Sequence, residues 1–321
     1  MATHHLAPEV YYYTFAAHRP ALRIQSGDTV VAQTRDAGGG DADGNPMPEE
    51  MKQRVAGTAL RESNPVVGPV YVEGAEKGDA LAVHIRRIRL TRERAYSKQS
   101  AGFGSLTGET PGYSLLYNDP IANMTFDWDI DLSKNTATLG MPGSRLKQVE
   151  VELDPFIGSI GVAPPFGQVE MTLSPGKFGG NMDCVDTREG TTLILPVWVD
   201  GGYLCFGDIH AVQGDGELNG TALEITAEVR LEIALMKQYS MQWPRMVDAT
   251  HIMVAASTRP LFDSVRLAQI ELLNWLVGEY GFNREEAWQL NSQVGTMRIG
   301  NLVDPFFTVV AKFPKKHLPS D

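Results

Sequence analysis

From Thr221 to Ile233 the chain alternates without a slip. Leu223, Ile225, Ala227, Val229, Leu231 and Ile233 fall on one side, and Glu224, Thr226, Glu228, Arg230 and Glu232 on the other. A period of two belongs to a β-strand with one face on a core and the other in water. The segment therefore predicts one long half-buried strand, with Glu224 on its wet face. Elsewhere, short apolar runs are separated by 32 glycines and 19 prolines among 321 residues. Such frequent punctuation predicts a mainly β fold. Strands are expected at Leu22–Ile24, Thr29–Thr34, Val66–Val72, Ala80–Leu90, Gln148–Leu153, Ile157–Val162, Gln168–Leu173 and Thr191–Val199, with a hairpin over 125–139. Ser26-Gly27-Asp28 reads as a tight turn joining two strands, and Glu73 to Asp79 as a second turn of similar make.

Helical spacing is confined to the C-terminal part. Val265, Ala268, Leu272, Leu273, Leu276 and Val277 share a face, and Gly281 supplies a stop. Asn283 followed by Glu286 predicts the start of a second helix running to about Val294. The expected organisation is a β-rich region over residues 1–235 and an α+β portion over 236–321, packed on the same core.

A net charge of −11 argues against a nucleic-acid or anionic-membrane partner. No stretch reaches the roughly 18 apolar residues of a membrane span, and the first 20 residues lack the pattern of a secretory leader. Two cysteines, Cys184 and Cys205, can form neither a disulfide framework nor a cysteine-rich zinc site. A cytoplasmic protein with reduced thiols is expected. Serine-hydrolase elbow, phosphate-loop, dinucleotide and His-Glu-x-x-His patterns are absent.

Chemistry is concentrated in Gly207-Asp208-Ile209-His210 and Gln213-Gly214-Asp215-Gly216-Glu217. An imidazole among carboxylates can take a divalent metal and leave a carboxylate to activate water. The same residues can also build turns, with His210 bonded to a carbonyl. Gly179-Gly180-Asn181-Met182-Asp183 puts Asn181 and Asp183 on one side of an extended segment, as a ligand and its support or as an Asx turn. Asp36 ends a strand before Gly38-Gly39-Gly40, where a carboxylate suits a site or a turn. Cys184 alternates away from Asp183 and reads as a packed thiol.

An ordered set of segments resembles the acetamidase/formamidase family: Ser26 to Val30 with Thr34-Arg35-Asp36, Gly68-Pro69-Val70 with Glu73 to Asp79, Ile157 to Ala163, Gly180 to Asp183, Gly207 to Glu217, and Val303-Asp304. The resemblance covers nearly the whole chain. It implies a jelly-roll-like β-sandwich with a smaller α+β portion, a cytoplasmic homo-oligomer, and hydrolysis of short linear amides to carboxylate and ammonia. It also implies a divalent metal, zinc first and calcium second, held by Asp36, Asp183 and His210. Glu217, or failing it Asp208, is the expected base, and Asn181 orients a ligand or the amide. Tyr11-Tyr12-Tyr13, the Asp41 to Glu50 loop and Gly300 to Phe307 depart from the family pattern, which leaves the choice of amide open. Two other readings remain: an amidase using a carboxylate base or Cys184 without metal, and a binding protein with a structural metal.

Overall fold

The computed structural model describes residues 1–53, 62–106 and 122–319. The parts of the 38–62 loop and of the 95–125 excursion that fall outside these ranges lie outside the described residues. The mainly β expectation holds. Two large sheets, of nine and thirteen strands, enclose one core cluster, with Val30, Val83 and Leu231 contributed from the first and Val67, Ile157 and Phe206 from the second. This is a sandwich: the apolar faces of the two sheets meet in that core, and strands such as Leu204–His210 and Phe156–Gly161 are buried on both faces.

The long alternating segment does not form one strand. Glu224–Ile225 pairs with Leu204–His210 in the second sheet. After Thr226 the chain crosses over, and Ala227–Met236 enters the first sheet between Asp28–Gln33 and Ala80–Leu90. Beyond the crossing the alternation works as expected, with Val229, Leu231 and Ile233 buried and Arg230 exposed. Before it, Glu224 and Thr226 are buried. The wet-face assignment of Glu224 is thus corrected: at a crossing point both faces of the strand meet protein, so period two no longer separates core from water.

The two similar turns are also crossings rather than hairpin turns. Leu22–Ile24 and Val66–Val72 lie side by side and parallel in the second sheet, with Leu22 opposite Val70 and Ile24 opposite Val72. Their continuations, Asp28–Gln33 and Ala80–Leu90, flank Ala227–Met236 in the first. Each turn closes in the same way. The Asp28 amide donates to the Gln25 carbonyl and the Asp79 amide to the Glu76 carbonyl, while the Gln25 and Glu76 amides donate to the respective aspartate side chains at 3.1 and 2.8 Å. Gly27 and Gly78 have φ of 90° and 98°, which only glycine adopts at no steric cost.

Met124–Asp131 and Thr136–Met141 form the expected hairpin, whereas Gln168–Leu173 shrinks to the two-residue strand Glu170–Met171. The helices are Leu261–Tyr280, closed by Gly281 at φ 69°, and Arg284–Val294, whose first amides are accepted by the Asn283 side chain. They cover strands His251–Thr258 and Phe307–Pro314 through a second core cluster containing Trp243, Leu272 and Phe313. Those strands continue the nine-stranded sheet, so residues 236–321 share a sheet with the N-terminal region.

Candidate active site

Three neighbouring strands of the second sheet build the site. Leu204–His210 is buried along its whole length and carries Asp208 and His210 at its end. Phe156–Gly161 lies beside it, with Phe156 opposite His210 and Ser159 opposite Gly207. Gly179–Asn181 pairs on the other side of that strand, Asn181 opposite Ser159, and delivers Asp183 two residues later. The spacing of Gly180 to Asp183 and of Gly207 to His210 is thus explained by adjacent strand ends that place their polar residues together. Gly158 makes room for them. A Cβ there would lie 2.8 Å from His210 Cε1 and 2.9 Å from both an Asp183 and an Asp208 carboxylate oxygen.

The structure brings together Asp183, Asp208, His210, Glu217 and Asn181, all buried. Ligating atoms of Asp183, Asp208 and His210 lie within 4.8 Å of one another, and so do those of His210, Glu217 and Glu224. His210 belongs to both groups, and Gln213 orients it. The Gln213 side-chain nitrogen donates to the carbonyls of Asp183 at 2.9 Å and Gly300 at 3.0 Å. Its oxygen must therefore face His210 Nδ1, 2.9 Å away, which makes Nδ1 the donor. Nε2 then points into the carboxylates: Asp208 at 3.5 Å, Glu224 at 3.6 Å and Glu217 at 3.9 Å.

Asp208 also accepts from Asn64 at 2.8 Å and from Ser159 at 3.2 Å. Asn181 accepts from Ser159 and donates to Asp183 at 3.1 Å and to Asp304 at 2.7 Å. Asn301 in turn donates to the Asn181 carbonyl at 3.1 Å. Despite this web, one oxygen each of Asp183, Asp208 and Glu224 has no hydrogen-bond partner among the described residues. Asp183, Asp208 and Glu217 also hold φ of 45°, 57° and 48°. Left-handed backbone at a non-glycine residue is uncommon and costs on the order of 1 kcal/mol or more. The fold thus holds three carboxylates in place against backbone preference.

Crowding distorts the acid–base properties. Burial, reinforced by Glu217, Asp304 and Asp208, pushes the Asp183 carboxyl well above its ordinary range. Burial does the same to Glu217, with His210 opposing it. Glu224 is raised by burial to about 8 and Asp304 by burial to about 7. For His210, burial favours the neutral ring, but Glu224, Asp208 and Glu217 together outweigh it and raise the imidazole to about 10.

Asp36 is not brought into either group. One of its oxygens accepts the Gly38 and Gly40 amides at 3.0 and 2.9 Å, and the other pairs with Arg92 at 2.7 Å. It lies close to Tyr96, whose hydroxyl accepts the Gly38 amide at 2.9 Å and which pairs with Glu224 across neighbouring strands. Cys184 is fully buried, 3.8 Å from Asp186 and 3.9 Å from the Met246 sulfur, and burial raises its thiol. It does not line the site's cavity. Asp215 is drawn away by Arg298 at 2.8 Å.

Sequence reasoning missed Glu224, Asn64, Ser159 and Gly158, and quoted Asp304 without a role. Ser159 and Gly158 stood in the Ile157 to Ala163 segment, so a signal for them existed. Glu224 carried the opposite signal, because its alternation pointed to water.

A cavity of about 40 Å³ opens on the cluster. Asn64, Asn181, Glu217, Glu224 and Asp304 are among its polar lining residues, and Ala37, Phe103 and Leu173 among its apolar ones. Asp183, Asp208 and His210 are not among its lining residues. The residues suit a divalent cation. The Nε2 to carboxylate separations are too long for good hydrogen bonds, and they resemble the edges of a coordination polyhedron with bonds of about 2 Å. The oxygen and imidazole donors suit zinc or a similar divalent ion, and the unpartnered oxygens lack the compensation that such an ion supplies.

The model of the Acetamidase/Formamidase family matches residues 17–171 and 166–315. The fold is similar to that of an acetamidase from Yersinia enterocolitica, with a TM-score of 0.84 and 35% identity over 99% of this chain and 93% of that one. It is also similar to an acetamidase from Bacillus halodurans, with a TM-score of 0.81 and 30% identity over 98% of each chain. In sequence the chain is 24% identical over 257 residues to a formamidase of Methylophilus methylotrophus. That match takes in 67% of this chain and 61% of the formamidase's own length.

Proposed function

We propose that this chain, which belongs to the acetamidase/formamidase family, hydrolyses the C–N bond of a small linear amide to a carboxylate and ammonia. One observation carries the reading: a buried imidazole faces three carboxylates, with unpartnered oxygens beside it, and two of those carboxylates, Glu217 and Glu224, line a cavity together with Asn64, Asn181 and Asp304. Its chemistry suits a neutral, polar, small substrate. The net charge of −11 and the absence, among the described residues, of any helix long and apolar enough to cross a membrane are compatible with such a substrate taken from solution.

Asp183, Asp208 and His210 would hold a divalent ion, zinc first. Bound there, such an ion acts as a Lewis acid toward an amide carbonyl or lowers the pKa of a water. The chain's own residues supply the rest. Gln213 gives His210 its orientation, so that Nε2 is presented to the ion. Asn64 and Ser159 occupy one Asp208 oxygen and leave the other free. Asn181 holds Asp183 and Asp304 with its two amide hydrogens and fixes their spacing.

Glu217 lines the cavity and is the general base. It takes a proton from the attacking water and delivers it to the departing nitrogen, which must leave as ammonia because an amide anion is too basic. Burial first, with His210 opposing it, raises this carboxyl well above its ordinary range. Asp36 acts through position: its bonds to Arg92 and the Gly38 and Gly40 amides fix the strand end beside Tyr96 and Glu224.

A direct test is ammonia release by the purified protein from aliphatic and aromatic amides. The expected result is turnover of at least one short aliphatic amide, abolished by exhaustive chelation and restored by zinc. Turnover that survives chelation would leave the amidase and remove the metal. No ammonia from any amide would favour a binding protein instead. We further propose that the protein works in the cytoplasm as a homo-oligomer.

A further inference from the structure

The apolar wall of the cavity is assembled by contacts that leave little slack. The segment 100–106 lies against the stretch that follows Glu217. The Ser105 amide and hydroxyl both donate to the Leu218 carbonyl, at 2.9 and 3.1 Å. Gly104 comes so close that a Cβ would lie 3.1 Å from the Asn219 carbonyl oxygen and 3.2 Å from that of Leu218. On the facing side Gly220, at φ 80°, receives the Phe103 ring: a Cβ on Gly220 would lie 2.4 Å from Phe103 Cδ1 and Cε1. Two glycines therefore let backbone meet backbone and ring meet backbone, and the Phe103 ring is held between Gly220 and the cavity. Leu173 and Ala37 also line the cavity. Asn64, Asn181, Glu217, Glu224 and Asp304 supply polar groups to the same lining.

A short amide in such a space meets both polar and apolar lining groups. The carboxamide N–H and C=O groups would pair with the carboxyl and amide side chains, which leaves the acyl chain to Phe103 and Leu173. The cavity, about 40 Å³, has room for about three water-sized spheres at 10–15 Å³ each, which leaves space for only a very short acyl chain. We infer that Phe103, seated on Gly220, is the specificity-determining residue that limits acyl length at this site. The inference rests on the amidase reading, and it adds a residue to which neither sequence motif nor metal-ligand geometry points.

The test compares formamide, acetamide, propionamide and butyramide in the parent and in Phe103→Ala. One methylene in an apolar pocket changes kcat/KM by about 10- to 200-fold. The butyramide-to-acetamide ratio of kcat/KM is therefore expected to rise at least tenfold in Phe103→Ala, with metal content unchanged. Phe103→Leu should fall between the two, and serves should the alanine variant not fold. A ratio unchanged within twofold in every folded variant would overturn the inference. Calorimetric binding of the same amides needs no turnover. If the parent releases no ammonia, the amidase reading fails, while a tenfold shift in relative affinity for butyramide would still support the size limit, and no shift would reject it.

Discussion

Asp28 and Asp208 look alike in sequence. Each follows a glycine, each belongs to a strand, and each is buried. Their surroundings differ. Asp28 is encircled by donors: the Ala2 amide at 2.6 Å, the Gln25 amide at 3.1 Å and His4 Nε2 at 2.8 Å. The Ala2 amide first, and His4 next, hold its carboxyl down at about 2. Asp79, its counterpart in the second turn, is likewise held low. Burial opposes the shift, and Lys237 with the Gln238 and Glu76 amides outweighs it. The Asp208 cluster inverts this. Asp183, Glu217, Glu224 and Asp304 are all raised, first by burial, and unpartnered oxygens remain. A buried carboxylate with all its donors stabilises a crossing between sheets. Several buried carboxylates short of donors carry a standing cost, retained where something other than the fold needs it.

This contrast can be broken by substitution. The largest effect is expected at Glu217→Gln, which keeps shape and removes the base. It should lower kcat by about 10²- to 10⁴-fold, with metal content and melting temperature close to the parent's. If the metal is lost as well, the ion sits in the group formed by His210, Glu217 and Glu224 instead. A smaller loss, about tenfold, is expected from Asp36→Asn, because it loosens a supporting layer; metal content, read by elemental analysis, should not change. Loss of the ion in that variant would return Asp36 to the ligand set.

At the turns the signs reverse. Asp79→Ala strips the partner from the Glu76 and Gln238 amides and from Lys237. It should cost on the order of 1–3 kcal/mol of stability, measured by denaturant unfolding, and leave kcat per folded molecule intact. The smallest effect is a pH dependence. The Asp28 carboxyl is depressed on folding, so its stabilisation is complete above an unfolded value near 3.8 and is lost as pH falls from there through about 2. The stability gap between the parent and Asp28→Asn should therefore shrink below about pH 4. A gap that stays constant to pH 2 would show that Asp28 titrates alike in the folded and unfolded chains, and that folding does not depress its carboxyl.

The same contrast explains what could be read from sequence. Strands were legible where one face meets water, as in Ala227–Met236, because alternation there follows solvent exposure. The helices were legible from apolar spacing and from Asn283 and Gly281. Asp208, His210, Asp183, Asn181 and Glu217 were legible because glycines mark the close approaches around them. Glu224 was not, since a crossing strand buries both faces and alternation misassigns it. Asp36 was drawn toward the ligands because a carboxylate between a strand end and glycines looks the same whether it meets a metal or Arg92. Only long-range pairing, Arg92 reaching Asp36 from 56 residues away, separates the cases.

The most direct test of the central claim is elemental analysis of the parent and of His210→Ala, run beside ammonia release from a short aliphatic amide. The parent should hold about one divalent ion per chain and release ammonia; His210→Ala should hold none and release none while remaining folded. A folded His210→Ala protein that keeps its ion and its full rate of ammonia release would contradict the account.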